Sequence, residues 1–200
     1  MVITIHQPEH FPYMGFFQKM AGVDLFIVLD DVKYRKNYFQ NRNKFVNSTG
    51  TEEWFTVPVL KKCINKNINE VLVSPDRRWR KKIIKQLSLN FKVDLGEVYQ
   101  KDNLLDINMM SIEYSREKLG ITTPMMLSSE IGAKGSSSEK LANLCNLVGA
   151  KTYISGPSGR DYLDTSLFDD YGIKIEFFEP QVNNYYSVLY NLYTEGLLDE

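Results

Sequence analysis

Residues 1–43 read MVITIHQPEHFPYMGFFQKMAGVDLFIVLDDVKYRKNYFQNRN, and the order of their apolar and polar runs decides the fold. Val2 to Ile5 is a short apolar run with β-branched residues, bounded by Pro8, and reads as a strand. Gly15 to Ala21 carries Phe16, Phe17 and Met20 on the apolar side of a short helix. Leu25 to Leu29 is continuously apolar, as in a strand covered on both faces. Strand, helix, strand makes one right-handed βαβ unit. Open parallel sheets bind ligands beyond the carboxyl ends of their strands, so this unit predicts that His6, Gln7, Asp30 and Asp31 emerge at one sheet edge.

Outward from this unit, the polar, aromatic segment from Lys33 to Phe45 is a loop. Asn47-Ser-Thr-Gly50 is a turn signal, and Glu53 to Val59 follows as a strand, which places a hairpin tip at Ser48 to Thr51. Pro58 argues for an edge position. Lys61 to Asn69, rich in lysine and asparagine, reads as a mobile loop, and Val71 to Val73 as a short strand. Trp79, Ile83, Leu87 and Phe91 recur every fourth residue and predict a helix over 77–91. Leu104 to Leu119 is a second helix, ended by Gly120. Ile121 to Leu127 is extended.

Ser136-Ser-Ser-Glu139 has capping-box spacing before a stripe of Leu141, Leu144, Cys145 and Val148, and Gly149 ends that helix. Thr152 to Ile154 is a buried strand running into Ser-Gly-Pro-Ser-Gly, and Ile173 to Phe178 is the last strand. The aromatic tail from Tyr185 to Glu200 forms a helix on the body. The class is therefore α/β: a mostly parallel sheet flanked by helices, with a Rossmann-like, nucleotidyltransferase-like opening βαβ unit and an inserted β-hairpin and helical segment. A single domain over 1–200 is expected, with a helical subdomain at about 76–120.

The bulk numbers narrow the function classes. At 200 residues, roughly 70% of the unfolded surface can be buried, enough for a core without staples. The net charge of −1 supplies no global field toward nucleic acid or anionic membranes. The basic helix over 77–85 reads first as a solvated face. Cys63 and Cys145 fit no metal or disulfide spacing, and Cys145 falls on an apolar helix face. No secretory leader and no apolar run of about 20 residues is read. The expectation is a cytoplasmic protein without an integral membrane segment.

Four stretches can carry chemistry. The histidines His6 and His10 have the i, i+4 spacing of helical zinc sites, but Pro8 and Pro12 oppose a helix, and no metal site is expected. Histidines after a first strand also occur in HIGH-type nucleotidyl-transferring enzymes, where they stabilise charge on transferred oxygens. The glycine between the histidines is missing here; otherwise His6 simply ends its strand. Adjacent carboxylates point to opposite sides of a pleat. One of Asp30 and Asp31 can face a crevice, holding Mg²⁺, taking an amine proton or accepting from sugar hydroxyls, while the other closes the turn. Gln40-Asn41-Arg42-Asn43 offers a guanidinium fork beside amides suited to sugar hydroxyls, or is a solvated loop. Ser155-Gly156-Pro157-Ser158-Gly159-Arg160 lets a backbone approach an anion, with Tyr162 close behind, or is an ordinary turn. It lacks the lysine of a P-loop.

HQPEHFPYMGFFQKMAGVDLFIVLDDV, QNRN, WFTVPV and YISGPSGRDYLD, in that order, resemble the WbqC-like protein family over nearly the whole chain. The family has an aromatic residue where His10 stands and Trp where Tyr13 stands, which favours His6, Gln7, Asp30, Asp31, Asn41 and Arg42 as its functional cluster. The resemblance implies a place in O-antigen and other cell-surface polysaccharide biosynthesis. The activity it implies is transfer of an aminoacyl group such as glycine to the amine of a nucleotide-linked amino sugar. A nucleotidyl or glycosyl transferase acting on a nucleotide sugar, and a non-catalytic precursor-binding protein, are the alternatives.

Under the leading reading, His6 and Arg42 stabilise an oxyanion or phosphate, and Asp30 or Asp31 takes the amine proton or binds Mg²⁺. Gln7, Gln40, Asn41, Ser155, Gly156, Ser158, Gly159, Arg160 and Tyr162 line the substrate, and Phe11, Tyr13 and Tyr38 stack on base or sugar. The expected ligands are a nucleotide sugar and an amino-acid donor, with ATP and Mg²⁺ as the cofactors to consider. No nucleic-acid partner is expected, and a homo-oligomer stays open.

Overall fold

The computed structural model describes residues 1–198. In chain order the first elements are β1 (Val2–His6), α1 (Met14–Ala21), β2 (Leu25–Val28), β3 (Arg42–Val46), β4 (Glu52–Thr56), α2 (Arg78–Phe91) and α3 (Leu104–Lys118). Then come β5 (Met125–Leu127), α4 (Ser128–Ile131), α5 (Ser137–Leu147), β6 (Thr152–Ser155), α6 (Ser166–Asp169), β7 (Lys174–Phe177) and α7 (Val188–Thr194). They form two compact units. One contains Met1–Gln7, Gly15–Asp30 and Thr122–Gln181; the other contains Pro8–Met14, Asp31–Ile121 and the chain from Val182 on.

The first unit is the α/β sheet. Its five strands run in the order β5-β2-β1-β6-β7, and every neighbouring pair is parallel. The pleat sorts β1 by parity. Ile3 and Ile5, with Leu25, Ile27 and Tyr153, enter a core shared with Leu141, Leu144 and Cys145 of α5 and with Phe168. Residues of opposite parity face α1: Phe26 meets Phe16 at 4.9 Å between ring centroids, and so does the His6 ring. Burying each large apolar side chain contributes about 1.5–3 kcal/mol, so both faces hold the sheet. Gly149 ends the α5 segment at φ +71°, a left-handed conformation that costs glycine little.

The second unit is built on the β3–β4 hairpin, which pairs Arg42 with Thr56 through Val46 with Glu52. Asn47 Oδ1 accepts from the Thr49 and Thr51 amides and closes the tip. Alternation sends Phe45 and Phe55 inward, where Phe45 meets Phe91 of α2 at 4.9 Å. Leu104, Ile107 and Ile112 of α3, and Val188, Leu189 and Leu192 of α7, are buried in the same unit.

Three local expectations change. Lys61–Asn69 is not a loose loop: it makes two 3-10 turns with Cys63 and Ile68 buried. The Ile68 amide donates to Val32 O and the Tyr34 amide to Lys66 O, tying it down. Val71–Val73 makes only isolated bridges, Leu72 to Asn103 and Val73 to Val59. The capping box at Ser136 does not close, because its hydroxyl makes no cap bond. Glu139 instead lies against Gly135, where a Cβ would come within 2.8 Å of its carboxylate. The last two residues of the predicted tail helix lie outside the described residues.

Candidate functional site

In the sheet unit, the strand order reverses between β1 and β6, and such a switch point opens a crevice at the carboxyl ends of the strands. His6 ends β1, and Ser155 ends β6. His6 Nδ1 lies 3.0 Å from Gln7 O. A carbonyl only accepts, so Nδ1 carries the proton and Nε2 keeps a lone pair. Nε2 has no partner among the described residues. The ring keeps some exposed surface but sits deep among protein atoms. Burial foremost, then the nearby Lys19 charge, push its pKa down to about 3 against the lesser, opposing effect of the Gln7 bond. At neutral pH His6 is therefore an uncharged acceptor and does not neutralise a phosphate.

Of the two adjacent carboxylates, Asp30 is fully buried and Asp31 partly exposed. Asp30 Oδ1 accepts from Ser128 Oγ at 3.0 Å and the Ser129 amide at 2.9 Å, and Oδ2 accepts from Ser129 Oγ at 2.6 Å. The Asp30 amide also donates to Ser128 Oγ. These bonds staple the end of β2 to the segment after β5, so this carboxylate is engaged by protein donors. Among the described residues no group of three or more His, Cys, Asp or Glu side chains is placed to hold a metal ion.

Beyond β6, Ser155 is buried, with its hydroxyl donating to Gly156 O at 3.2 Å. Gly156 has open space where a side chain would stand. Gly159 does not: a Cβ there would lie 2.1 Å from Ser155 Oγ and 3.0 Å from Leu163 Cδ1. That glycine is needed for packing. Ser158 is exposed. Arg160 is paired with Glu179 and lies 4.6 Å over the Phe177 ring, so its charge is already used. Tyr162 is exposed and accepts through its carbonyl from Ser138 Oγ.

The second unit holds the other predicted residues. His10 is internal: Nε2 meets Tyr99 Oη at 3.0 Å, and Phe11, Phe55 and Tyr99 surround the ring. The Asn108 side chain accepts from the imidazole, but burial outweighs that bond and lowers the His10 pKa to about 3. Nδ1 and Asn108 Oδ1 fall short of ideal hydrogen-bond geometry; the contact between them is a loose one. His10 is a core residue.

Phe11 is also fully buried, against Phe55 and Tyr114, and has no open face for stacking. Its φ of +42° is held by its amide bond to Ser111 Oγ and by Asn43 Nδ2 donating to its carbonyl. Tyr13 meets the Tyr185 ring at 5.4 Å, and burial, then the Glu9 charge, push its phenol up to about 12. Tyr38 is exposed beneath the Arg35 guanidinium. Gln40 Oε1 accepts from the Arg35 amide at 2.7 Å and shapes the loop.

Asn41 and Arg42 differ from these. Asn41 is buried with Nδ2 on Val57 O, but its Oδ1 has no partner among the described residues. Arg42 stacks 4.3 Å over the Trp54 ring and leaves a buried Nε without an acceptor. Tyr34, which sequence reasoning missed, adds a buried hydroxyl with no partner. Burial raises its pKa to about 12, and the Arg42 charge pulls the other way. An orphaned buried polar atom costs about 1–3 kcal/mol, so three from one short stretch make this loop a candidate site. The signal was there: a Tyr in an Arg- and amide-rich loop after a strand.

Fold and candidate residues together define an α/β protein whose parallel sheet has a topological switch point at β1 and whose second unit carries a polar, arginine-bearing loop. The chain belongs to the WbqC-like protein family, whose sequence model matches residues 7–198. It is 33% identical over 190 residues to the uncharacterized protein Rv1507c of Mycobacterium tuberculosis, covering 88% of this chain and 81% of that one. No solved structure matches the chain. No helix among the described residues is long and apolar enough to cross a membrane.

Proposed function

We propose that the chain is a transferase of cell-surface polysaccharide biosynthesis that attaches an aminoacyl group, such as glycine, to the amine of a nucleotide-linked amino sugar. The observation that carries the reading is His6: a neutral imidazole, its Nδ1 proton committed to Gln7 O, with a free Nε2 lone pair at the end of β1. Amide formation needs an uncharged amine whose lone pair is aimed at an activated carboxyl. Nε2 can accept an amine N–H and hold that lone pair in line. A ring with so low a pKa orients better than it removes protons.

Receipt of the amine proton, or Mg²⁺ binding, is assigned in this reading to the Asp30–Asp31 pair, in which Asp30 is held by Ser128 and Ser129. Arg42, Asn41 and Tyr34 supply unpaired donors and an acceptor suited to phosphate and sugar hydroxyls. ATP as the activating cosubstrate, a soluble nucleotide-sugar acceptor and a cytoplasmic location belong to this same reading.

The test is incubation of the purified protein with glycine, ATP, Mg²⁺ and nucleotide-linked amino sugars, followed by mass spectrometry. The expected product is heavier than the acceptor by one glycyl unit. His6→Ala should abolish product while leaving the circular dichroism spectrum and thermal midpoint close to wild type. Unchanged turnover of that variant would remove His6 from the mechanism, and a nucleotidyl adduct in place of the glycyl one would overturn the reaction class.

A further inference from the structure

The second unit contains a cavity of about 570 Å³ lined by Pro75, Arg77, Arg80, Lys81, Ile84, Gly96, Tyr99, Gln100 and Asp102. Positions 77, 80, 81 and 84 follow helical spacing, so one side of α2 and its preceding residue form one wall. The segment 96–102 forms the other. The cavity falls within the range of small-molecule sites.

Its charge is unbalanced. Three cations line it against one carboxylate, Asp102, and that carboxylate accepts from Arg80 Nη2 at 2.6 Å. Arg80 Nη1 donates to Tyr99 O at 2.6 Å, and its buried Nε has no acceptor among the described residues. The nearby Asp76 is turned onto Arg78, with Oδ1 and Oδ2 both accepting from its guanidinium. Arg77 and Lys81 have no side-chain partner among the described residues. Two cations without a side-chain partner, Arg77 and Lys81, therefore line one concavity. An anion in that concavity is attracted by both charges.

We infer that this cavity is a binding site for the phosphate or diphosphate group of a small molecule. Arg77 and Lys81 neutralise the charge, beside an Arg80 guanidinium already fixed by Tyr99 and Asp102, and Gln100 is a further polar residue of the lining. The inference does not depend on the transferase reading.

Isothermal titration of the full chain with inorganic pyrophosphate, and separately with orthophosphate, tests it. The wild type should bind pyrophosphate saturably, and the ratio of the two affinities tells a diphosphate site from a monophosphate one. Arg77→Gln/Lys81→Gln should weaken binding by at least about tenfold. Lys82→Gln/Lys85→Gln removes the same charge from exposed positions of α2 outside the cavity and should stay within about twofold. Equal loss in both double variants would assign the effect to general charge. That result, no loss in Arg77→Gln/Lys81→Gln, or no saturable binding at millimolar pyrophosphate would each overturn the site. All four positions face solvent or the cavity, and matching thermal midpoints would show that the variants remain folded.

Discussion

Acid should unfold this protein partly through His10, and the size of that contribution follows from its surroundings. The ring is fully buried, and its pKa is lowered from 6.5 to about 3 by burial, with the Asn108 bond opposing. The unfolded chain takes up the His10 proton below about pH 6.5, while the folded chain resists until about pH 3. Stability is therefore complete above the ordinary histidine value and is lost as pH falls through this window. One proton is worth about 1.4 kcal/mol per pH unit, or about 3 kcal/mol between pH 6.5 and pH 4. His6, lowered to a similar value, adds a second proton over the same range.

His10→Phe isolates the first. It keeps an aromatic ring among Phe11, Phe55 and Tyr99 but leaves the Tyr99 hydroxyl without its imidazole partner. That should cost about 1–3 kcal/mol at neutral pH. Urea unfolding across pH 4 to 7 should give wild-type and variant stability curves that converge on acidification and meet near the acid end. Their slopes should differ by close to one proton, because the carboxylates common to both cancel. Parallel curves would show that His10 is protonated in the folded state, and the buried neutral imidazole would be refuted.

Asp30→Ala removes a carboxylate that accepts three hydrogen bonds from Ser128 and Ser129; a loss of about 3 kcal/mol in urea unfolding is expected, and a loss under about 1 kcal/mol would show that the staple is not formed. Gly159→Ala should cost about 1–3 kcal/mol by overpacking against Ser155 Oγ. Ser155→Ala in the same chain should recover part of it, and strict additivity of the two changes would refute the contact. Cys145 is buried, with its thiol pushed up to about 12 by that burial; with Cys63 also buried, neither should react with iodoacetamide until urea unfolds the chain. Rapid native labelling of either thiol would contradict the packing described.

Much of the fold was legible because its signals are local. The opening βαβ unit, the hairpin tip at residues 48–51, the helices ending at Phe91 and near Gly120, and the strand before Ser155 each announce themselves within a dozen residues through periodicity and turn chemistry. The all-parallel sheet follows from the alternation of those elements. The capping box at Ser136 misled because spacing alone does not say where Glu139 turns, and Gly135 gave it another place to lie.

The candidate site was legible only as a set of residue types. His6, Asp30, Asn41 and Arg42 could be singled out by chemistry, but not which of them is already satisfied. Asp30 meets donors 98 and 99 residues further on, and His10 meets Tyr99 across 89. Those encounters turn a candidate base into a staple and a histidine of the opening loop into a core ring. By itself the sequence determined the class, most of the elements and the family, because short-range patterning and ordered motifs carry that information. Only tertiary structure decided which polar groups were left over, because whether a buried atom has a partner depends on residues that meet it from far along the chain.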